Sequence, residues 1–428
     1  MSAELEKGTE VDRQAPGGRG AGVVASAAAA ARLGAIEPFL AMVISERARA
    51  LEATGAHVVH MELGEPDFDT PAPIREAAAR AMAQGKTHYT HSLGLPELRQ
   101  AIADHYGRTY GVSVNPDQIM VTPGTSPALA VLFLALLNPG DEVILSDPGY
   151  ACYWNFVRLA GGVPRAVPVY EEDGFAYRPA EIRARLSPRT RAILVNSPAN
   201  PTGCVMPAED LASVARLAEE AQETFGAACY VVSDEIYHGL NYGGPGQKDH
   251  SMLEFTRRAF VLNGFSKLYA MTGWRLGYII APPEFMRPLQ KLQQNVLICA
   301  PSIAQWAGIA ALTECQEDVA RMRRTYDERR RFVLRRLAEM GLPVGREPLG
   351  AFYVLANVRR FSHDSYRLAF DLLEKAHVAV TPGVDFGRNA EGYLRISYAT
   401  RIEELAEGLD RMERYFASAG GEDAGRTM

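Results

Sequence analysis

The sequence predicts an α/β protein, a mainly parallel sheet covered by helices on both faces, followed by a smaller α+β domain. From about residue 62 to 282, short continuous apolar runs alternate with amphipathic helical segments, the pattern of strands buried on both faces. After about residue 340 the pattern changes to three strand-like stretches and a closing helix. The size agrees: 428 residues, 47% hydrophobic and 22% charged, are enough for a large core and two domains.

In chain order, residues 1 to about 34 read as a mobile tail. "GVVASAAAAARLGA" (22–35) has the composition of a signal-peptide core, but Glu4, Glu6, Glu10 and Asp12 precede it, where a secretory signal is basic. "EPFLAMVISERARALEATG" (37–55) carries apolar residues at helical spacing and ends in Gly. The strand candidates are "QIMVT" (118–122), "EVILS" (142–146), "RAILVN" (191–196), "CYVVSDE" (229–235), "FVLNGF" (260–265) and "LGYIIA" (276–281). "EDLASVARLAEEAQETFG" (209–226) is a helix between two of them, and a long helix rich in Arg and Glu spans about 302 to 340. Its charges read as a solvated face. "GAFYVLANV" (350–358), "VAVTPG" (378–383) and "YLRISYAT" (393–400) are the strands of the smaller domain, and a helix over about 402 to 418 closes the chain.

Composition narrows the function. A net charge of −6 leaves no basic excess to neutralise nucleic-acid phosphates. The five cysteines (Cys152, Cys204, Cys229, Cys299, Cys315) form no C-x-x-C pair and read as reduced thiols of a cytosolic protein, with no metal site. No apolar run reaches the roughly 18 residues of a membrane span. "GKT" (85–87) ends like a P-loop, but the required earlier glycine position holds Arg80, which removes an NTPase.

In sheets of this kind ligands bind beyond the carboxyl ends of the strands. After "QIMVT" come Gly124, Thr125 and Ser126 at a helix start, where N–H groups and hydroxyls favour an anion. After "RAILVN" the turn "SPANPTG" presents Asn200, and after "CYVVS" come Asp234 and Tyr237. After "FVLNGF" comes Lys267, with Arg275 eight positions on. Singly, each has an ordinary structural explanation as a cap, a turn or a solvated cation. Together they describe one ligand with an anionic group (Thr125, Ser126, Arg275), a basic ring nitrogen (Asp234) and a carbonyl (Lys267). Pyridoxal 5′-phosphate has all three, and its carbonyl removes the obstacle that a free lysine, with a pKa of about 10.4, is protonated at neutral pH.

The motifs "GEPDFDTP" (64–71), "NSPANPTG" (196–203), "SDEIY" (233–237), "SKLYAMTGWRLGY" (266–278) and "LRISYAT" (394–400) stand in one order over residues 37–418. In them the chain resembles the class I and II aminotransferases, PLP-dependent enzymes of fold type I, and within these the bacterial branch that includes aspartate aminotransferases. The resemblance implies a large PLP-binding domain (62–301) with a mainly parallel seven-stranded sheet. A linking helix and small domain follow (302–418), an N-terminal segment (35–61) packs with the small domain, and residues 419–428 form a tail. It implies Lys267 as Schiff-base lysine and acid/base, Asp234 opposite the pyridinium nitrogen, and Tyr237 and Asn200 on the phenolic oxygen. Tyr150 would stack on the ring, and Gly124, Thr125, Ser126 and Arg275 would hold the phosphate. Tyr89 would reach the phosphate of a second subunit in a homodimer. Arg395 would clamp the substrate α-carboxylate, assisted by the backbone of Gly64 and by Asn200.

Two positions depart from relatives. Gly264 stands where many carry a phosphate-binding hydroxyl, and Ser126 where the aspartate-using branch often has a lysine. With Phe352 and Tyr353 at the side-chain pocket, neutral or aromatic donors are therefore expected to match or exceed aspartate unless an arginine from elsewhere, such as a partner subunit, intervenes. A C–S β-lyase on the same fold keeps almost all of these residues and remains an alternative, as does another fold type I amino-acid enzyme such as a decarboxylase or synthase. A regulator would need an N-terminal DNA-binding module that 34 Ala/Gly-rich residues cannot form.

Overall fold

In the computed structural model, which describes residues 29–243 and 248–423, the central layer is a seven-stranded sheet. Up to Glu37 the chain is a unit of its own, and its described part holds a single 3-10 turn, Ala31–Ala35. The tail expected over residues 1–34 lies, as far as residue 28, outside the described residues.

The second unit starts at Pro38. It opens with α1 (Leu40–Glu52), β1 (Val59–His60), α2 (Ala72–Ala83) and α3 (Pro96–Tyr110). Then come β2 (Ile119–Thr122), α4 (Thr125–Leu136), β3 (Glu142–Asp147), α5 (Cys152–Leu159) and β4 (Val163–Pro168). These are followed by α6 (Pro179–Arg183), β5 (Thr190–Asn196), α7 (Ala208–Phe225), β6 (Tyr230–Asp234), β7 (Ala259–Gly264) and β8 (Gly277–Ile280). The strand order is β2-β8-β7-β6-β5-β3-β4. β3, β4, β5, β6 and β7 pair in parallel, and β8 is antiparallel to both of its neighbours.

Each central strand sends alternate side chains to opposite faces, as a pleat requires. Ile193, Val195, Val231 and Val261 join α3 and α7 on one face; Ala192, Leu194, Val232 and Leu262 join α4 and α5 on the other. The strand absent from the sequence reading is β4, "VPRAVP", whose two prolines argue against a ladder. It lies at the sheet edge, where a missing N–H costs little.

The long helix expected over 302–340 is two helices after α8 (Pro283–Val296): α9 (Ser302–Glu314) and α10 (Gln316–Glu339), broken at Cys315. The break falls where burial changes partner. Ala304, Ala307 and Ala311 of α9 pack with the sheet, whereas Met322, Tyr326 and Val333 of α10 pack in a second core. The arginines of α10 are not all solvated. Arg329 is buried and holds Asp67 of the "GEPDFDTP" stretch through two bonds of 2.7 Å, and buried Arg330 pairs with Asp327 and Glu347.

The second core contains β9 (Tyr353–Asn357), α11 (Ser365–Asp371), β10 (Val378–Ala379), β11 (Thr381–Pro382), β12 (Tyr393–Ser397) and α12 (Ile402–Asp423). β11, β12 and β9 form an antiparallel sheet, and β1 pairs in parallel with β10. α1 also belongs to this core through Ile44 and Ala48, and its first N–H groups, on Leu40 and Ala41, bond the Asp385 carboxylate. α12 runs on to Asp423, into the segment expected to be a tail from residue 419.

Candidate active site

β2, β3, β5, β6 and β7 end at one end of the sheet, and antiparallel β8 begins there. A cavity of about 340 Å³ opens beyond it. Gly64, Thr125, Ser126, Tyr150, Asn200, Asp234, Tyr237, Lys267, Arg275 and Arg395 line it together. Gly124 lies just behind, as the N-cap of α4. Tyr89 does not line the cavity and is 80% exposed.

Lys267 lies three residues beyond the end of β7, and its Nζ donates to the Gly64 carbonyl at 2.6 Å. Burial lowers its pKa to about 8; nearby Glu65 opposes the shift, and Arg395 and Arg275 add to it. Asp234 ends β6, buried. Its Oδ2 accepts from Tyr153 at 2.6 Å and its Oδ1 from the Ile236 N–H at 3.2 Å. Burial raises its pKa to about 6, against the pull of those two bonds. No cation pairs with it among the described residues. Asn196, at the end of β5, donates to the Asp234 carbonyl and accepts from the Asn200 N–H, both at 2.9 Å, which fixes Asn200 beside the acid.

Tyr237 shares a 2.7 Å hydrogen bond with Tyr353, and burial first of all raises its pKa well above the ordinary value, so it stays a neutral phenol. Tyr150 packs edge-on between Phe39 and Tyr153. Arg395, on central strand β12, is 1% exposed. It donates to Asn200 Oδ1 at 3.0 Å, to Thr381 Oγ1 at 3.1 Å and to the Glu62 carbonyl, between the rings of Tyr353 and Phe386. Its Nε has no hydrogen-bond partner among the described residues and its Nη1 makes a single bond, so two of its five N–H donors are left for a ligand.

The remaining wall is a close approach of backbones. Arg275 has left-handed φ (+53°), Gly124 has φ +98°, and a Cβ on Gly124 would lie 2.6 Å from Arg275 Nη2. A Cβ on Gly277 would lie 2.9 Å from Gly124 C and 3.0 Å from Thr125 N. Gly277→Ala must push the helix start away, an overpacking that costs about 1–3 kcal/mol. A lower Tm is expected, and an unchanged Tm would show that the contact has slack. Gly264 is also confined: a Cβ there would meet Leu276 O at 3.0 Å and Gly277 Cα at 3.1 Å, so a larger residue would need the neighbouring backbone at the start of β8 to give by a few tenths of an ångström.

Sequence reasoning missed Tyr153, Asn196, Ser266 and the α1 wall of Phe39, Met42 and Arg49. Tyr153 was findable, one helical turn beyond Tyr150, and Asn196 opens a motif already singled out. Arg49 gave no signal. Tyr353 lines the cavity, but Phe352, expected beside it, lies behind, packed on Tyr237 and Tyr326. Among the described residues no helix is long and apolar enough to cross a membrane, and no group of three or more His, Cys, Asp or Glu could hold a metal.

Residues 56–412 match the family described as aminotransferase class I and II. The aspartate/prephenate aminotransferase of Thermus thermophilus is 42% identical over 397 residues, 91% of this chain and 98% of its own. A (5-formylfuran-3-yl)methyl phosphate transaminase of Methanocaldococcus jannaschii is 40% identical over 388 residues, 90% and 98% of the two chains. The solved structure of the Thermus thermophilus aspartate aminotransferase with maleate matches with a TM-score of 0.85 at 42% identity, covering 90% of this chain and 99% of that one. With the fold, the family match and these relatives in agreement over most of its length, the chain belongs to the class I and II aminotransferases and is a transaminase.

Proposed function

We propose that this transaminase moves an amino group between an L-amino acid and a 2-oxo acid with pyridoxal 5′-phosphate as cofactor, as a cytosolic homodimer. Residues 62–301 would form the cofactor domain and residues 302–418 the small one. The observation that carries the reading is the convergence of Lys267, Asp234 and the Gly124–Ser126/Arg275 wall on one cavity. The residues present fit the cofactor. A buried carboxylate without a cation suits a protonated ring nitrogen, and an amine with lowered pKa suits a carbonyl. A helix start whose glycines admit no Cβ suits a phosphate. The homodimer rests on the resemblance, with Tyr89 exposed and free to meet a second copy.

When bound, the cofactor supplies an electrophilic carbonyl and an electron-withdrawing ring. Lys267 Nζ would be the base that takes the substrate Cα proton, held in place by the Gly64 carbonyl and with its pKa lowered by burial. Asp234, with a pKa raised by burial to about 6, would be ionised at neutral pH and would hold a protonated ring nitrogen opposite itself. Tyr237 and Asn200 would hold the cofactor's phenolic oxygen, and Tyr150 would lie against its ring.

Arg395 orients the substrate through its α-carboxylate, which a planar guanidinium binds in two places. Removing one half of a desolvated charge pair costs about 2–5 kcal/mol, so Arg395→Ala is expected to raise KM steeply for every amino acid and 2-oxo acid. A rise confined to some donors would contradict a shared α-carboxylate site.

The reading is tested with the PLP-loaded protein and a donor panel of aspartate, glutamate, alanine and phenylalanine. The cofactor spectrum should pass to the amine form with a donor and return with a 2-oxo acid. Ammonia release by β-elimination, without that reversible change, would favour the lyase.

A further inference from the structure

We propose that Arg49 reads a second carboxylate on the substrate, so that amino dicarboxylates and their 2-oxo counterparts are the favoured substrate class; this rests on the aminotransferase reading of the cavity. Phe39, Met42 and Arg49 form its α1 wall. Residues three and seven apart share a helix face, and helical side chains lean back towards the N-terminus, so Arg49 leans towards Met42 and the cavity.

The other cations of the cavity have assigned partners. Arg395 is held by Asn200, Glu62 and Thr381 and faces the α-carboxylate. Arg275 donates to the Thr272 carbonyl beside the phosphate wall, and Lys267 is the reacting amine. The Arg49 side chain is exposed and has no hydrogen bond, ion pair or ring contact among the described residues. Its neighbour Arg47 shows the contrast, gripping Glu374 at 2.5 and 3.0 Å on another face of α1. Glu46, one turn before Arg49, is not part of the cavity wall and makes no ion pair with it. Glu65 is the acid of the wall besides Asp234. It is engaged by the Thr272 hydroxyl and lies next to Gly64, where its charge acts on Lys267.

A guanidinium on an otherwise apolar patch of wall is an incomplete pair. A monocarboxylate held by Arg395 leaves it to water. A dicarboxylate held at its α end carries a second, planar acceptor into the same cavity, matched to the fork of Arg49. This is the arginine whose absence made neutral donors the expectation from the sequence. Because the side chain is long and exposed, it can follow a carboxylate on two or three methylenes.

The test compares PLP-loaded wild type with Arg49→Gln and Arg49→Lys. The ratio of kcat/KM for glutamate and aspartate to that for alanine and phenylalanine should fall about ten- to a hundredfold in Arg49→Gln, the value of one charge-assisted pair. Arg49→Lys should keep part of it. A ratio unchanged within about threefold overturns the proposal, whether or not all donors slow together. In parallel, the affinities of the unreactive acids glutarate and butyrate are read by titrating the cofactor absorbance. The glutarate preference should fall by the same factor in Arg49→Gln, and an intact preference overturns the proposal too. If wild type transfers no amino group from any donor, the aminotransferase reading fails, and the glutarate-to-butyrate ratio still decides the role of Arg49.

Discussion

Lys267→Ala is expected to lower kcat by at least about 10⁴-fold, the upper range of a positioned general base, because in the proposed reading the same Nζ also holds the cofactor. The structure gives the reason that this lysine can do both. Its ammonium form is disfavoured by burial and by Arg395 and Arg275, which lowers the pKa from 10.5 to about 8, while Gly64 fixes the position of Nζ. Below pH 8 the neutral fraction grows about tenfold per pH unit, so covalent uptake of PLP by the apoprotein should rise with that slope and level off above pH 8. Stability follows the same group. A depressed folded pKa means that the unfolded chain binds more protons between pH 8 and 10.5, so the apoprotein gains stability across that window and Lys267→Ala loses the gain. Borohydride reduction gives the direct check: wild type should yield a stable protein–PLP adduct and Lys267→Ala none. An adduct in Lys267→Ala would move the assignment to another lysine.

What was legible in the sequence follows from how locally each feature is encoded. The parallel strands were readable because both of their faces are buried, which makes continuous apolar runs such as "RAILVN" and "FVLNGF". Site residues at the ends of these runs followed from the rule that ligands bind there, so Asp234 and Lys267 could be placed before any coordinates. β4 was hidden because an edge strand tolerates Pro164 and Pro168. The break at Cys315 was hidden because no Gly or Pro marks it; what changes there is the packing partner, which only the tertiary structure defines. Arg49 was hidden for a third reason. On α1 it reads as one of several charged residues of an amphipathic helix, and its place in the cavity wall arises only because the chain returns Gly64, Lys267 and Arg395 to the same cavity from far along the sequence.

Asp234→Asn should keep the fold and slow turnover by about two to three orders of magnitude, the scale of losing one preorganised electrostatic contact. Asparagine matches the shape of aspartate and can still accept from Tyr153 or the Ile236 N–H, so what is lost is the charge. That charge is costly to the empty protein. The folded pKa of Asp234 is raised from 3.8 to about 6, so its favourable contribution is complete below pH 3.8 and is lost as pH rises through 6. Above pH 6 the buried carboxylate costs about 3 kcal/mol, at 1.36 kcal/mol per pKa unit. Asp234→Asn apoprotein should therefore melt no lower than wild type at pH 8, and the difference between the two should shrink as the pH is lowered towards 4. A carboxylate kept at that cost, with a hydroxyl and a backbone N–H but no paired cation among the described residues, is accounted for by a partner that arrives positively charged, and a protonated ring nitrogen is such a partner. Melting curves of the apoproteins and single-turnover kinetics of the loaded enzymes separate the two roles. Unfolding of Asp234→Asn at pH 8 would make the acid a structural residue; an intact fold with slowed proton abstraction would make its charge part of the chemistry.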